Sequence, residues 1–237
     1  MNRYSPRDIL VLAGVALLFL WYTGLGRQAF SNPVSLLAVL AALVIAITVH
    51  EANHAWVATL LGDPTPRMMG RVSLNPLRHL DPVGTMMIFV AHFGWGKPVM
   101  FNPWNLKINP HIGSAMVAFA GPVANIAAAI VFLLPLRFQT SVDPQLGEFL
   151  RQIVSLNIGL AAFNLIPIPP LDGFSVVTGV LPRPIAEIFE PLRQYGFIIL
   201  LGLLFIPLVG GPDILGAMLR PIIGAISAFV RGVALGV

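Results

Sequence analysis

The chain has 237 residues, 57% of them hydrophobic and only 10% charged, with a mean hydropathy of +0.84. Soluble domains carry roughly a quarter charged residues, so this chain cannot coat a water-facing surface and is read as an integral membrane protein. The net charge of +4 comes from basic residues scattered through loops, which points to membrane orientation rather than to nucleic acid, and without cysteine there are no disulfides or thiolate metal sites.

In chain order, the first apolar run is 9–25, preceded by Arg3 and Arg7. At about 17 residues it is long for a signal-peptide core and no A-x-A-like site follows it, so it is read as a retained span. Further spans are expected at 34–61, 112–136, 148–166 and 188–209, each near the ~20 residues that cross about 30 Å of hydrocarbon. The stretch 83–95 is too short to cross and too apolar for a solvated loop, so a re-entrant or interfacial segment is expected. The last apolar stretch, 213–236, contains Arg220 and Pro221; spanning, breaking and lying along the interface all remain open for it. The fold class is an all-α polytopic membrane protein with five to six transmembrane helices, forming a single membrane-embedded domain over 1–237.

Orientation follows from the basic residues of short loops. Arg3 and Arg7 at the N-terminus, and Arg67, Arg71, Arg78, Lys97 and Lys107 in the loop 62–109, belong on one side. The expectation is a multi-pass protein of the cell membrane with its N-terminus in the cytoplasm.

Within the second span lies "AITVHEANHAWVATLLGD", residues 46–63. At 3.6 residues per turn, His50 and His54 share one face of a helix with Glu51 beside them. His-Glu-x-x-His is the pattern of a zinc peptidase helix: two metal ligands and a general base. An ionisable group at membrane depth costs at least about 2.5–3.5 kcal/mol on insertion scales, so three of them within five positions require a cause. Catalytic zinc needs a third protein ligand, and Asp172 in "FNLIPIPPLDGFSVV" is the strongest candidate. His54 should lie roughly 12 Å from the end of its helix at 1.5 Å per residue, in the cytoplasmic half of the bilayer. The proline-rich loop before Asp172 can dip to that depth. An N-cap is the plainer job for such an Asp.

Taken together, "HEANH", "AGPVANIAAAI" and "AFNLIPIPPLDGF" resemble the three motifs of the site-2 protease family of intramembrane zinc metalloproteases, peptidase family M50. The segment "RVSLNPLRHLDPVGTMMIFVAHFGWGKPVMFNP" is similar to the one that links the metal helix to the next span in its compact bacterial members. The resemblance covers a core of roughly 44–175 and leaves 183–237 as C-terminal helices. It implies one Zn²⁺ per chain held by His50, His54 and Asp172, with Glu51 as catalytic base. It places Asn125 near the metal, where its amide is expected to serve as a donor to the transition-state oxygen; an interhelical structural hydrogen bond is the rival role. No PDZ-type module is inserted. The implied activity is hydrolysis of transmembrane substrates, either membrane-tethered regulators or signal-peptide remnants. The bilayer is the surrounding partner, and no nucleic acid is expected.

A metal-ion transporter using the same residues as a transit site is the alternative, although the repeated halves usual in transporters are not visible. Asn164 is expected to orient backbone or a ligand, or to make a plain turn contact. His79 and His92 are read as loop residues with ordinary hydrogen bonds, His111 as interfacial, Trp21, Trp95 and Trp104 as interfacial anchors and Trp56 as packing. The Gly- and Pro-rich segment 92–105 is expected to offer backbone edges to an unwound substrate.

Overall fold

The computed structural model describes residues 33–81, 96–138 and 143–236. The expected first span at 9–25, Trp21, the segment 83–95, His92 and Trp95 lie outside them.

Helix α1 (Pro33–Leu60) has 28 residues and carries His50, Glu51 and His54. Small residues line its inner side: Ala42, Ala46, Ala52, Ala55 and Ala58 are all buried. Alanine at helix contacts lets backbones approach closely, which is how membrane helices gain packing energy when lipid is as apolar as the core. The short helix α2 (Thr65–Met68) and 3-10 turns at Pro76–Arg78 and Pro103–Asn105 fold the following loop. Helix α3 (Pro110–Leu133) starts with Pro110, and Asn109 caps it by accepting from the His111 and Ile112 N–H groups. A one-turn α4 (Pro135–Phe138) follows.

Helix α5 (Pro144–Asn164) is capped by Asp143 and runs through the interior, packed on α1 and α3. Helices α6 (Asp172–Val180) and α7 (Arg183–Phe189), a 3-10 turn at Glu190–Tyr195 and α8 (Gly196–Phe205) lead to α9 (Ile214–Leu235). The stretch expected as one span at 188–209 is built from consecutive helical pieces, with Pro191 in the 3-10 turn Glu190–Tyr195 and Pro207 in a second one, Ile206–Val209, and the run Arg183–Phe205 keeps the length and hydropathy of a span. The final segment is resolved in favour of a continuous helix that passes through Pro221.

Four described stretches are long and apolar enough to cross a membrane: Leu37–Leu60, Pro110–Phe138, Arg183–Phe205 and Ile214–Leu235. Helix α5 has 21 residues, but Glu148, Arg151, Gln152 and Asn157 make it more polar than these four. Its position explains the difference. Ile153, Val154, Asn157, Ile158, Ala161 and Ala162 are buried against neighbouring helices, so protein rather than lipid surrounds that face. The main core lies where α3, α5 and α9 meet, at Ala129, Leu133, Val154, Ile158, Ala161, Ile226 and Val230.

Candidate active site

The turn of α1 from His50 to His54 faces α3 on one side and the start of α6 on the other. His50 is 5% and His54 8% exposed, and their rings meet edge-on with centroids 4.6 Å apart. Asp172, the first residue of α6, brings its Oδ2 to 3.1 Å from His50 Nε2 and 3.3 Å from His54 Nε2. The structure therefore gathers the two histidines and the distant aspartate, more than a hundred positions apart in the sequence, into a group able to hold a metal ion.

The hydrogen bonds on the far side of each ring decide which nitrogens face inward. His54 Nδ1 lies 2.7 Å from the Val117 carbonyl, which can only accept, so Nδ1 carries the proton. His50 Nδ1 lies 2.6 Å from Asn125 Oδ1. The orientation of that amide is set by its nitrogen, which donates to the Ala46 carbonyl at 2.9 Å and to Asn157 Oδ1 at 2.8 Å. Asn157 is oriented in turn, because its own nitrogen donates to the Ile153 carbonyl at 2.8 Å. In its neutral form each imidazole thus presents an Nε2 lone pair to Asp172.

In that form three electron-pair donors converge, and Asp172 Oδ2 is buried between the two rings. A metal cation satisfies such a group. Tetrahedral ligands about 2.0–2.1 Å from zinc are separated by roughly 3.3 Å, and the observed spacings of 3.1 and 3.3 Å agree. The residues fit the metal.

Helix α3 reaches the histidines through Gly121. A Cβ there would lie 2.4 Å from His54 Nε2 and 2.6 Å from His50 Cε1. Pro122 follows inside the helix. It has no N–H to give to the carbonyl one turn earlier.

Glu51 sits beside the ligands with its side chain 13% exposed, and its Oε2 is 3.7 Å from Arg71 Nη2. Arg71 is buried; its Nη1 donates to the Arg78 carbonyl and its Nη2 to the Lys97 carbonyl. Burial lowers the pKa of this guanidinium, opposed by the charge of Glu51. His79 is fully buried with Nε2 2.6 Å from the Ser73 carbonyl, and burial favours its neutral form.

The loop is pinned to the end of α1 by Asp63, which is fully buried. Asp63 Oδ1 accepts from the Thr65 N–H, the Thr65 hydroxyl and Asn105 Nδ2, and Oδ2 accepts from the Asn102 N–H at 2.6 Å. Burial works to raise the pKa of this carboxyl, but those hydrogen bonds outweigh it and hold it below the usual carboxylate range.

A cavity of about 1080 Å³ opens at the histidines, walled by Leu43, Ile47, Val99, Leu160, Phe163 and Leu219. Small-molecule sites occupy ~300–1000 Å³, so there is room for a length of polypeptide. Asn164 also lines it, with its Nδ2 donating to the Leu160 carbonyl at 3.0 Å. His111 takes a hydrogen bond from Arg183 Nε at 3.3 Å, away from the histidine pair. Trp56 and Trp104 are exposed by 52% and 76%, so Trp56 points outward rather than into the packing.

The model of "Peptidase family M50" matches residues 136–205, a stretch that includes Asp172. "Putative zinc metalloprotease YwhC" of Bacillus subtilis is 38% identical over 201 residues, covering 79% of this chain and 89% of that protein. The chain belongs to peptidase family M50. "Putative zinc metalloprotease Rip2" of Mycobacterium tuberculosis is 27% identical over 218 residues, 88% of this chain and 83% of its own. The protein of the same name from Mycolicibacterium smegmatis is 27% identical over 215 residues, 86% and 82% of the two chains. No solved structure matches the chain. As an M50 peptidase it is a zinc metalloendopeptidase built from membrane helices.

Sequence reasoning missed Arg71, Asn157 and Asp63. Arg71 entered only as a charge setting orientation. Asn157 carried a usable signal, because an Asn amid apolar residues at membrane depth requires a partner.

Proposed function

We propose that this M50 peptidase cuts transmembrane proteins within the bilayer, with His50, His54 and Asp172 holding Zn²⁺ and Glu51 acting as general base. The supporting observation is the convergence of two Nε2 atoms and a buried carboxylate oxygen at 3.1 and 3.3 Å. When bound there, zinc would activate water and polarise the scissile carbonyl.

The chain's own residues supply the rest. Glu51 lines the same cavity as the histidines and takes the proton of the attacking water, then passes it to the leaving nitrogen. Asn125 acts through His50. Both its N–H bonds are engaged by Ala46 and Asn157, so its amide orients the imidazole and has no hydrogen left for the transition-state oxygen. A helical substrate must unwind before its carbonyls become accessible. The segment 96–101 borders the cavity at Gly96, Pro98, Val99 and Phe101 and offers it backbone groups to pair with.

The domain comprises 1–237, with the N-terminus in the cytoplasm and the site in the cytoplasmic half of the bilayer, as the loop charges favour. Membrane-tethered regulators and signal-peptide remnants are the substrates that suit a cavity with apolar walls.

The test compares Glu51→Gln with the unmodified protein, purified with a membrane substrate. Retained stoichiometric zinc with cleavage abolished is the expected result. Cleavage that survives removes Glu51 from the chemistry, and ion flux that survives it would point to a metal transporter.

A further inference from the structure

Arg71 lies behind Glu51, a buried cation that the proton transfers above leave unused. Its guanidinium bonds two backbone carbonyls, those of Arg78 and Lys97, and its Nη2 faces Glu51 Oε2 at 3.7 Å. The Lys97 N–H is also committed, donating to the His79 carbonyl at 2.6 Å. Both backbone groups of Lys97 are therefore fixed, the carbonyl by Arg71 and the N–H by His79, just before Pro98 and Val99 enter the cavity wall. At Gly96 the main chain comes close to side chains of α1. A Cβ there would be 3.0 Å from Ile47 Cγ2, 3.1 Å from Glu51 Oε1 and 3.2 Å from the His79 carbonyl oxygen.

We propose that Arg71 is a positioning residue that holds the Glu51 carboxylate in register with the cavity-lining segment Gly96–Phe101. One rigid, planar donor set ties the proton acceptor to the backbone beside which the substrate lies. Orientation of this kind sets the rate of the chemical step, because misplacement by about 1 Å costs on the order of a hundredfold. Lysine cannot substitute, since a single ammonium on a flexible stem does not present a fixed fork to two carbonyls and a carboxylate together. The inference rests on the reading of Glu51 as the base.

The zinc-loaded protein with Arg71→Gln, and separately with Arg71→Lys, is to be compared with Glu51→Gln in zinc content, kcat, KM and amide exchange at 96–101. Both Arg71 variants are expected to keep one zinc per chain. Their kcat should fall ten- to a hundredfold, KM should move less than threefold, and exchange at Lys97 and Val99 should quicken. A kcat within twofold of the unmodified protein, or unchanged exchange, overturns the proposal. So does loss of zinc in the Lys variant, which would make Arg71 a residue of folding alone. If Arg71→Gln fails to fold, Arg71→Lys decides. Cleavage by Glu51→Gln would sink the base assignment itself, whereas an inactive Glu51→Gln beside fully active Arg71 variants sinks only this inference.

Discussion

His50 Nδ1 on α1 donates to Asn125 Oδ1 on α3 at 2.6 Å, and Asn125 is itself held by Asn157 on α5 at 2.8 Å. Three helices are joined through one imidazole whose other nitrogen faces Asp172. Partners of this kind typically tune metal affinity by about 10–100-fold. Asn125→Ala is expected to weaken zinc binding within that range and Asn157→Ala by less, read by competition against a chelator of known affinity. Affinity unchanged in Asn125→Ala would separate this amide from the metal site.

Gly121 is the second contact on which the site depends. Alanine there would place its methyl 2.4 Å from His54 Nε2, where neither the helix backbone nor the imidazole can yield. Gly121→Ala should lose stoichiometric zinc while circular dichroism still reports the helices. Gly224→Ala on α9, with nothing within 4 Å of the added carbon, should keep it.

Asp63 gives the loop a pH dependence of definite sign. Its carboxyl is held below the usual range when folded, so the folded chain binds fewer protons than the unfolded one as pH falls past the ordinary value of about 3.9. The stabilisation is fully present above that value and is lost as pH drops through the lowered one. Thermal midpoints in detergent should fall across this acidic window, and Asp63→Asn should flatten the slope. At neutral pH the same variant should retain zinc but cleave severalfold more slowly, because either Oδ1, facing the Thr65 N–H, or Oδ2, facing the Asn102 N–H, is replaced by an amide nitrogen.

Proline placed at Val99 or Phe101 removes an N–H from the cavity edge without touching a metal-binding side chain. Cleavage of a transmembrane substrate is expected to be blocked with zinc retained. Unchanged cleavage would reject pairing of substrate backbone with this segment.

Much of the site was legible because it is local. The spacing of His50 and His54 follows from helix pitch alone, and Glu51 sits between them in any helical reading. Asp172 could be chosen by depth and charge. Its distance to the histidines could not, since that depends on how α6 meets α1. The spans at 34–61 and 112–136 were visible as apolar runs. The run at 188–209 was visible too, but its division into short helices depends on Pro191 and Pro207.

The amino-acid order by itself determined a membrane solvent, helices and the family signature, because composition and short-range periodicity carry that information. Tertiary structure alone decided which nitrogens face Asp172, through Val117 and Asn125, 63 and 75 positions from their histidines. It also decided what stands behind Glu51, by bringing Arg71 and Gly96 to it. The physical reason is that a hydrogen bond is directional and short, so its partner is known only once separate helices and loops have packed.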